Sequence, residues 1–128
     1  MMIEELVGKT IVFLNNIQLA HWQTKGYAEH EALGEYYEKL WKLNDRLVET
    51  WQGNQNKRIH IESGQHTLQN YQSTDHTKHS IVEYSGYLSK CAKHIDSINE
   101  NKQYIDIESI LEEMTDVTSQ ALYHLSLK

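Results

Sequence analysis

The absence of proline is the feature that most restricts how this chain can fold. None of the 128 residues is proline and only six are glycine, so little in the sequence interrupts long helices. In four long segments the apolar residues recur at intervals of three and four, which is the spacing of helices that bury one face. The sequence therefore predicts an all-α protein, with residues 1–128 forming a single domain.

Turn signals divide the four segments into two pairs of helices. The first pair is predicted at about residues 2–22 and 27–51, separated by Lys25-Gly26, where the glycine is expected in the left-handed conformation. Gly53 should end the second helix. The second pair is predicted to begin with Asp75 as N-cap and to run to about 98, then from about 107 almost to residue 128.

A long polar segment, residues 52–75, lies between the two pairs and leaves room for one short helix around 63–71. Such a length is unusual for a loop inside a compact domain. A ferritin-like four-helix bundle requires it, because a long crossover must join helices that run parallel. The predicted architecture is a ferritin-like four-helix bundle with this crossover between helices two and three.

Charge and apolar patterning argue against several classes of function. The formal net charge is −6 and the longest basic stretch is Lys57-Arg58, so the clustered cations that bind nucleic-acid phosphates are missing. No run of 18 apolar residues is available to span a membrane. A single cysteine, Cys91, permits no internal disulfide and suits a reducing compartment. We expect a cytoplasmic protein with no nucleic-acid partner and no membrane partner.

Three side chains on the second helix suggest a metal site shared between two chains. Asp45 and Glu49 are four residues apart, so both carboxylates project from one face and can share a cation. His30 lies on nearly the same stripe, but about 22 Å from Asp45 along the helix axis. One chain therefore cannot place all three on one metal. Two copies of the helix packed antiparallel about a two-fold axis would bring His30 of one chain to the carboxylates of the other.

The pattern around these residues resembles the iron-site helix of Dps miniferritins, a ferritin-like family. That family has H-W-x-x-K-G and then the spacing H-x11-H-x3-D-x10-D-x3-E. This chain has the spacing H-x8-H-x3-G-x10-D-x3-E, so the last three intervals match and the first is three residues shorter. The residues at the motif positions are His21, Trp22, Lys25-Gly26, His30, Gly34, Asp45 and Glu49. The chain is also similar to short Dps-related proteins of phages.

This resemblance implies a function and a ligand set. In Dps proteins these positions form a ferroxidase site, which binds and oxidises iron between two subunits. For this chain the implied partner is another copy of itself in a dimer or larger homo-oligomer, and the implied metal is iron, with zinc as an alternative. The implied ligands are His21, His30, Asp45 and Glu49.

The apolar residues of the second helix predict a dimer independently of the resemblance. Leu33, Leu40 and Leu47 lie on one side, and Tyr37, Trp41 and Val48 lie on another. A single bundle buries only one stripe of a helix. We therefore expect the second side to be covered by another copy of the chain.

Other functions and roles stay open at the level of sequence. Gly34 stands where the family has an aspartate, and this missing carboxylate favours a non-catalytic dimeric ferritin-like scaffold or binding module. His21 and His30 could be hydrogen-bonded structural histidines rather than ligands, and Asp45 and Glu49 a solvated helix face. A di-iron site inside one bundle is disfavoured, because it needs Glu-x-x-His on two helices and no such pair occurs.

Overall fold

The computed structural model describes residues 2–127 and is about 80% helical, with no strand in that range. Four long helices account for this content: α1 (Met2–Gln23), α2 (Tyr27–Gln55), α3 (Thr74–Ile98) and α4 (Ile105–Ser126). One short 3-10 turn, Glu100–Lys102, joins α3 to α4. The predicted all-α four-helix bundle is confirmed.

The helices form two antiparallel pairs joined by a crossover that travels the length of the bundle. Helix α1 packs mainly against α2 and α3, and α4 packs mainly against the same two. Thr74, at the start of α3, hydrogen-bonds to Glu29, at the start of α2, over 2.7 Å. Asn54, at the end of α2, donates to Asp106, at the start of α4, over 3.2 Å. Helices α2 and α3 therefore run parallel, as the predicted long crossover requires.

Two hydroxyl pairs lie inside an otherwise apolar core. Thr10 and Tyr84 are joined by a 2.7 Å hydrogen bond, and Tyr36 and Thr118 by one of 2.8 Å. Thr118 also donates to the carbonyl of Met114, so the Tyr36 hydroxyl is the donor in its pair. Burial raises the pKa of Tyr36 and Tyr84 above the ordinary value. The surrounding buried residues include Leu6, Leu14, Leu33, Leu40, Leu47, Trp51, Ile81, Leu88, Ile95, Ile107 and Leu111.

The crossover contains no helix, so the prediction of a short helix around residues 63–71 is wrong. Amide side chains of α1 hold its last part instead. Asn16 Oδ1 accepts from the backbone N–H of Gln69 over 2.8 Å. Gln23 Oε1 accepts from the N–H of Tyr71 over 2.7 Å. Because these two donors are separated by one residue, as in a strand, the segment satisfies its backbone on α1 rather than within a helical turn.

Three predicted helix boundaries are corrected. Gly26 is not left-handed, since its φ is −90°, and it serves as the extended N-cap of α2. Helix α2 continues past Gly53 and ends before Asn56, which takes the left-handed conformation with φ 53°. The N-cap of α3 is Ser73 rather than Asp75, because the Ser73 hydroxyl accepts from the N–H of His76 over 3.1 Å.

Within residues 2–127, no helix is long and apolar enough to cross a membrane.

Candidate metal site between α1 and α2

His21 and His30 form a reciprocal pair where α1 ends and α2 begins. His21 Nδ1 lies 2.6 Å from the carbonyl oxygen of His30, and His30 Nδ1 lies 2.7 Å from the carbonyl oxygen of His21. The two rings are stacked with centroids 4.0 Å apart and planes 11° from parallel. The shortened turn of this chain, residues 24–26, therefore brings the first two predicted ligands together.

These hydrogen bonds fix which nitrogen of each ring carries the proton. A carbonyl oxygen only accepts, so Nδ1 must donate in both rings. In a neutral imidazole this leaves the lone pair on Nε2. Histidines that ligate metals commonly donate their other N–H to a backbone carbonyl in this way. The pair therefore has the tautomer that a metal ligand needs, and it is also a satisfied structural pair as it stands.

Gly34 is the residue over which the His21 ring lies. A Cβ built at position 34 would come within 2.6 Å of His21 Cε1 and 3.0 Å of His21 Nδ1. A side chain at position 34 would therefore push the His21 ring away from the place where it is observed. The carboxylate that Dps proteins place at this position is therefore incompatible with the observed histidine pair.

A polar network that the sequence did not reveal fixes the start of α2. The half-buried carboxylate of Glu29 accepts from the hydroxyls of Thr74 at 2.7 Å, Tyr71 at 2.9 Å and Thr24 at 3.2 Å. These donors come from α3, the crossover and the turn before α2. Tyr71 and Thr74 are 42 and 45 residues from Glu29, so only the folded bundle brings them to it and no local sequence signal marks them. The network holds the first turn of α2, including His30, against α3.

A surface depression of about 680 Å³ opens beside the histidine pair. Its lining includes His21 and Gly34, and also His124 from α4, which sequence reasoning did not select. The acidic side chains at this depression are those of Glu31, Glu35 and Glu38. A hydrogen bond from Lys39, together with its charge, lowers the pKa of Glu35. The depression is therefore acidic, and the imidazole of His21 forms part of its wall.

The structure does not bring Asp45 and Glu49 to the histidines of the same chain. Both carboxylates are exposed on α2, the helix that carries His30 in its first turn. Across residues 2–127, no three His, Cys, Asp or Glu side chains are grouped so that they could hold a metal ion. Within one chain, the four predicted ligands therefore lie as two separated pairs.

An apolar groove lies beside Asp45. It has a volume of about 250 Å³ and runs between α1 and α2. Ile11 is 45% exposed and Trp41 is 52% exposed along it. Tyr37 lines both this groove and the acidic depression. On the groove, Asn44 has a buried Oδ1 atom without a hydrogen-bond partner in the described part of the chain. We refer to this surface, formed by Ile11, Tyr37, Trp41, Asn44 and Val48, as the α1–α2 face.

Comparison with known protein families identifies the chain. A family of unknown function (DUF5856) matches residues 21–125. The chain belongs to this family. The match of DUF5856 begins at His21, so it includes all four predicted ligands and the whole of α2 and α3. No curated protein and no solved structure matches the chain.

Proposed function

We propose that this DUF5856 protein is a Dps-like iron-binding protein that works as a homodimer or a larger homo-oligomer. Ferrous iron, the substrate, binds where His21 and His30 of one copy meet Asp45 and Glu49 of the other. Imidazole and carboxylate together form a ligand set suited to iron, and zinc would also fit it. The observation that carries the proposal is the histidine pair, whose hydrogen bonds leave both Nε2 atoms with their lone pairs.

The separation of the two ligand pairs supports a shared site. Asp45 and Glu49 lie about 22 Å and more along α2 from His30, by the rise of 1.5 Å per residue. An antiparallel second copy would bring them to the partner's histidines. The α1–α2 face between them presents the exposed side chains of Ile11 and Trp41. Exposed apolar surface of this kind is a feature that a subunit contact would cover.

The proposed chemistry is a one-electron oxidation at each iron. Two ferrous ions each give up one electron and become ferric. Together the two electrons reduce one dissolved dioxygen to hydrogen peroxide, or one hydrogen peroxide to two waters, with two protons taken from solvent. The carboxylates of Asp45 and Glu49 would stabilise the added positive charge. Because His21 excludes a carboxylate at position 34, we expect one iron per site rather than two, and oxidation slower than at a complete ferroxidase site.

Gly34 also supports a second candidate function, a non-catalytic dimeric scaffold. The His21 ring closes the position where the Dps pattern supplies a ligand, and both histidine Nδ1 atoms are already satisfied by backbone. In this case the pair would serve only to lock the turn between α1 and α2. The two functions share the dimer and differ in metal binding.

Anaerobic titration calorimetry with ferrous ions, repeated with zinc ions, tests the proposal. We expect binding by the unaltered chain and loss of at least tenfold in affinity for His30→Ala and Asp45→Ala. Glu112→Ala is the matched control, because Glu112 is an exposed carboxylate on α4. Absence of binding by the unaltered dimer would leave the scaffold function. Unchanged binding in Asp45→Ala would contradict the shared site.

A further inference from the structure

We infer that a second copy of the chain docks antiparallel along α2 in one register, which is set by three charge pairs: Glu31 with Arg46, Glu35 with Lys42, and Glu38 with Lys39. The inference rests on the dimer of the proposed function but does not depend on metal. It specifies the partner, the direction of its helix and the residues that select it.

The charges of α2 are segregated along its length. Residues 27–38 contain four glutamates and no lysine or arginine, and the stretch that follows, residues 39–46, contains Lys39, Lys42 and Arg46. All three of these basic residues, like Glu31, Glu35 and Glu38, are exposed. At 100° per residue these six residues fall within an arc of about 100° beside the stripe of Gly34, Trp41 and Asp45. One edge of the helix is thus acidic at its start and basic towards its middle.

In an antiparallel dimer, this edge of α2 in one copy lies against the same edge of α2 in the other copy. A residue of one copy faces a second residue of the other copy when the two-fold axis passes the helix at the level midway between the two positions. For each of the three charge pairs the midpoint falls between Glu38 and Lys39. A parallel arrangement would instead place glutamate against glutamate. The charges therefore select both the direction and the register.

The metal ligands define the same register without reference to these charges. The midpoint between His30 and residue 47, which lies halfway between Asp45 and Glu49, also falls between Glu38 and Lys39. In this register Trp41 of one copy faces residues around 36 of the other. Its half-exposed indole would then lie near the depression beside Gly34 and Tyr37. Charge, apolar surface and ligand positions therefore agree on one arrangement.

The ion pairs that these residues already form within one chain do not prevent charge pairs between two copies. Lys39 lies 2.7 Å from Glu35, and Arg46 lies 2.8 Å from Glu113 of α4. Each of these four side chains is about half exposed, between 46% and 54%. Surface pairs of this kind contribute roughly 0–1 kcal/mol, so partner contacts can replace or extend them.

Cysteine cross-linking in a Cys91→Ala background, with chelator present and a short bis-maleimide reagent, tests the register. Glu31→Cys chains mixed with Arg46→Cys chains should cross-link, while either variant alone should not. Glu38→Cys mixed with Arg46→Cys is the off-register control, about 10 Å out of alignment, and should form no mixed product. Equal cross-linking in all mixtures, or none while the light-scattering mass stays that of a dimer, would overturn the register.

Reversing the charges at one end of this edge gives a second test, which is measured by the strength of dimerisation. Glu31→Lys/Glu35→Lys and Lys42→Glu/Arg46→Glu should each dimerise about tenfold more weakly or worse, and an equal mixture should recover the dimer. Unchanged dimerisation of both variants would contradict the inference. Because these measurements exclude metal, cross-linking without metal binding supports the register and refutes the iron function. If Asp45→Ala loses metal binding but the expected cross-link does not form, the register is refuted and the iron function is not.

Discussion

The imidazole of His21 occupies the space that a side chain at position 34 would need. Its Cε1 atom lies 2.6 Å from the point where a Cβ of residue 34 would stand. The ring is held there by its hydrogen bond to the carbonyl of His30. The glycine and the histidine pair therefore depend on each other.

Replacing Gly34 with alanine should displace the His21 ring while leaving the bundle folded. Loss of the hydrogen bond to His30 would cost about 1 kcal/mol. The better helix propensity of alanine would offset this by about the same amount. We expect the free energy of unfolding in urea to change little, the imidazole NMR signals of His21 and His30 to move, and metal affinity to fall about tenfold.

Gly86→Ala is the matched control for this substitution. Gly86 lies in α3 and a Cβ there would have no neighbour within 4 Å. It should raise the free energy of unfolding by roughly 0.5–1 kcal/mol and leave both histidines and metal binding unchanged. Unmoved histidine signals in Gly34→Ala would contradict the account of the pair.

Glu29→Gln should loosen the joint between the starts of α2 and α3. The carboxylate accepts from three hydroxyl groups, and an amide nitrogen cannot accept, so one or more of these bonds would be lost. We expect the free energy of unfolding to fall by about 1–2 kcal/mol, with faster amide exchange at residues 69–74. Glu112→Gln should stay within about 0.5 kcal/mol of the unaltered protein. Equal stability of the two variants would show that the network contributes little.

Much of the fold could be predicted from the sequence because apolar spacing sets it. Leu33, Leu40 and Leu47 recur every seven residues, which is close to two helical turns, and all three are buried as that spacing predicts. The crossover between α2 and α3 could also be predicted from its length and polarity. Its conformation could not, because the amides that hold it belong to Asn16 and Gln23 on α1, far away in sequence.

The candidate site was only half accessible to sequence reasoning. Spacing predicted that Asp45 and Glu49 lie far from His30 within one chain, and in the structure they lie on one long helix, with His30 in its first turn. The stacking of His21 on His30 depends on how two residues at a turn face each other, which no periodicity encodes. The participation of His124 near the same depression depends on α4 ending beside the start of α2.

Removal of a core hydroxyl should cost more at Tyr84 than at Tyr36. Tyr84→Phe leaves the fully buried hydroxyl of Thr10 without its partner, at a cost of about 1–3 kcal/mol. Tyr36→Phe leaves Thr118 still donating to the Met114 carbonyl, at about 0.5–1.5 kcal/mol. Urea unfolding of the two variants measures the difference. A larger loss for Tyr36→Phe would contradict the donor role assigned to the Tyr36 hydroxyl.

Stability should decline at alkaline pH because of the same two tyrosines. Burial raises the pKa of both hydroxyls, so the folded state keeps protons that the unfolded state loses near pH 10. Their contribution is complete below about pH 10 and is lost as the pH rises above it. The free energy of unfolding should fall less steeply in Tyr36→Phe/Tyr84→Phe. Some slope should remain, since burial also raises the pKa of Tyr87 to about 12. An identical slope in the double variant would contradict this assignment.

The shared site is tested most directly by mixing two defective chains. His30→Ala and Asp45→Ala dimers should each fail to bind ferrous iron in anaerobic calorimetry. After the chains are mixed and allowed to exchange subunits, each heterodimer should contain one intact site, which amounts to about one quarter of the sites of the unaltered protein. That recovery is the result predicted here. If the mixture binds no more iron than the separate variants, although heterodimers have formed, the site is not shared between subunits.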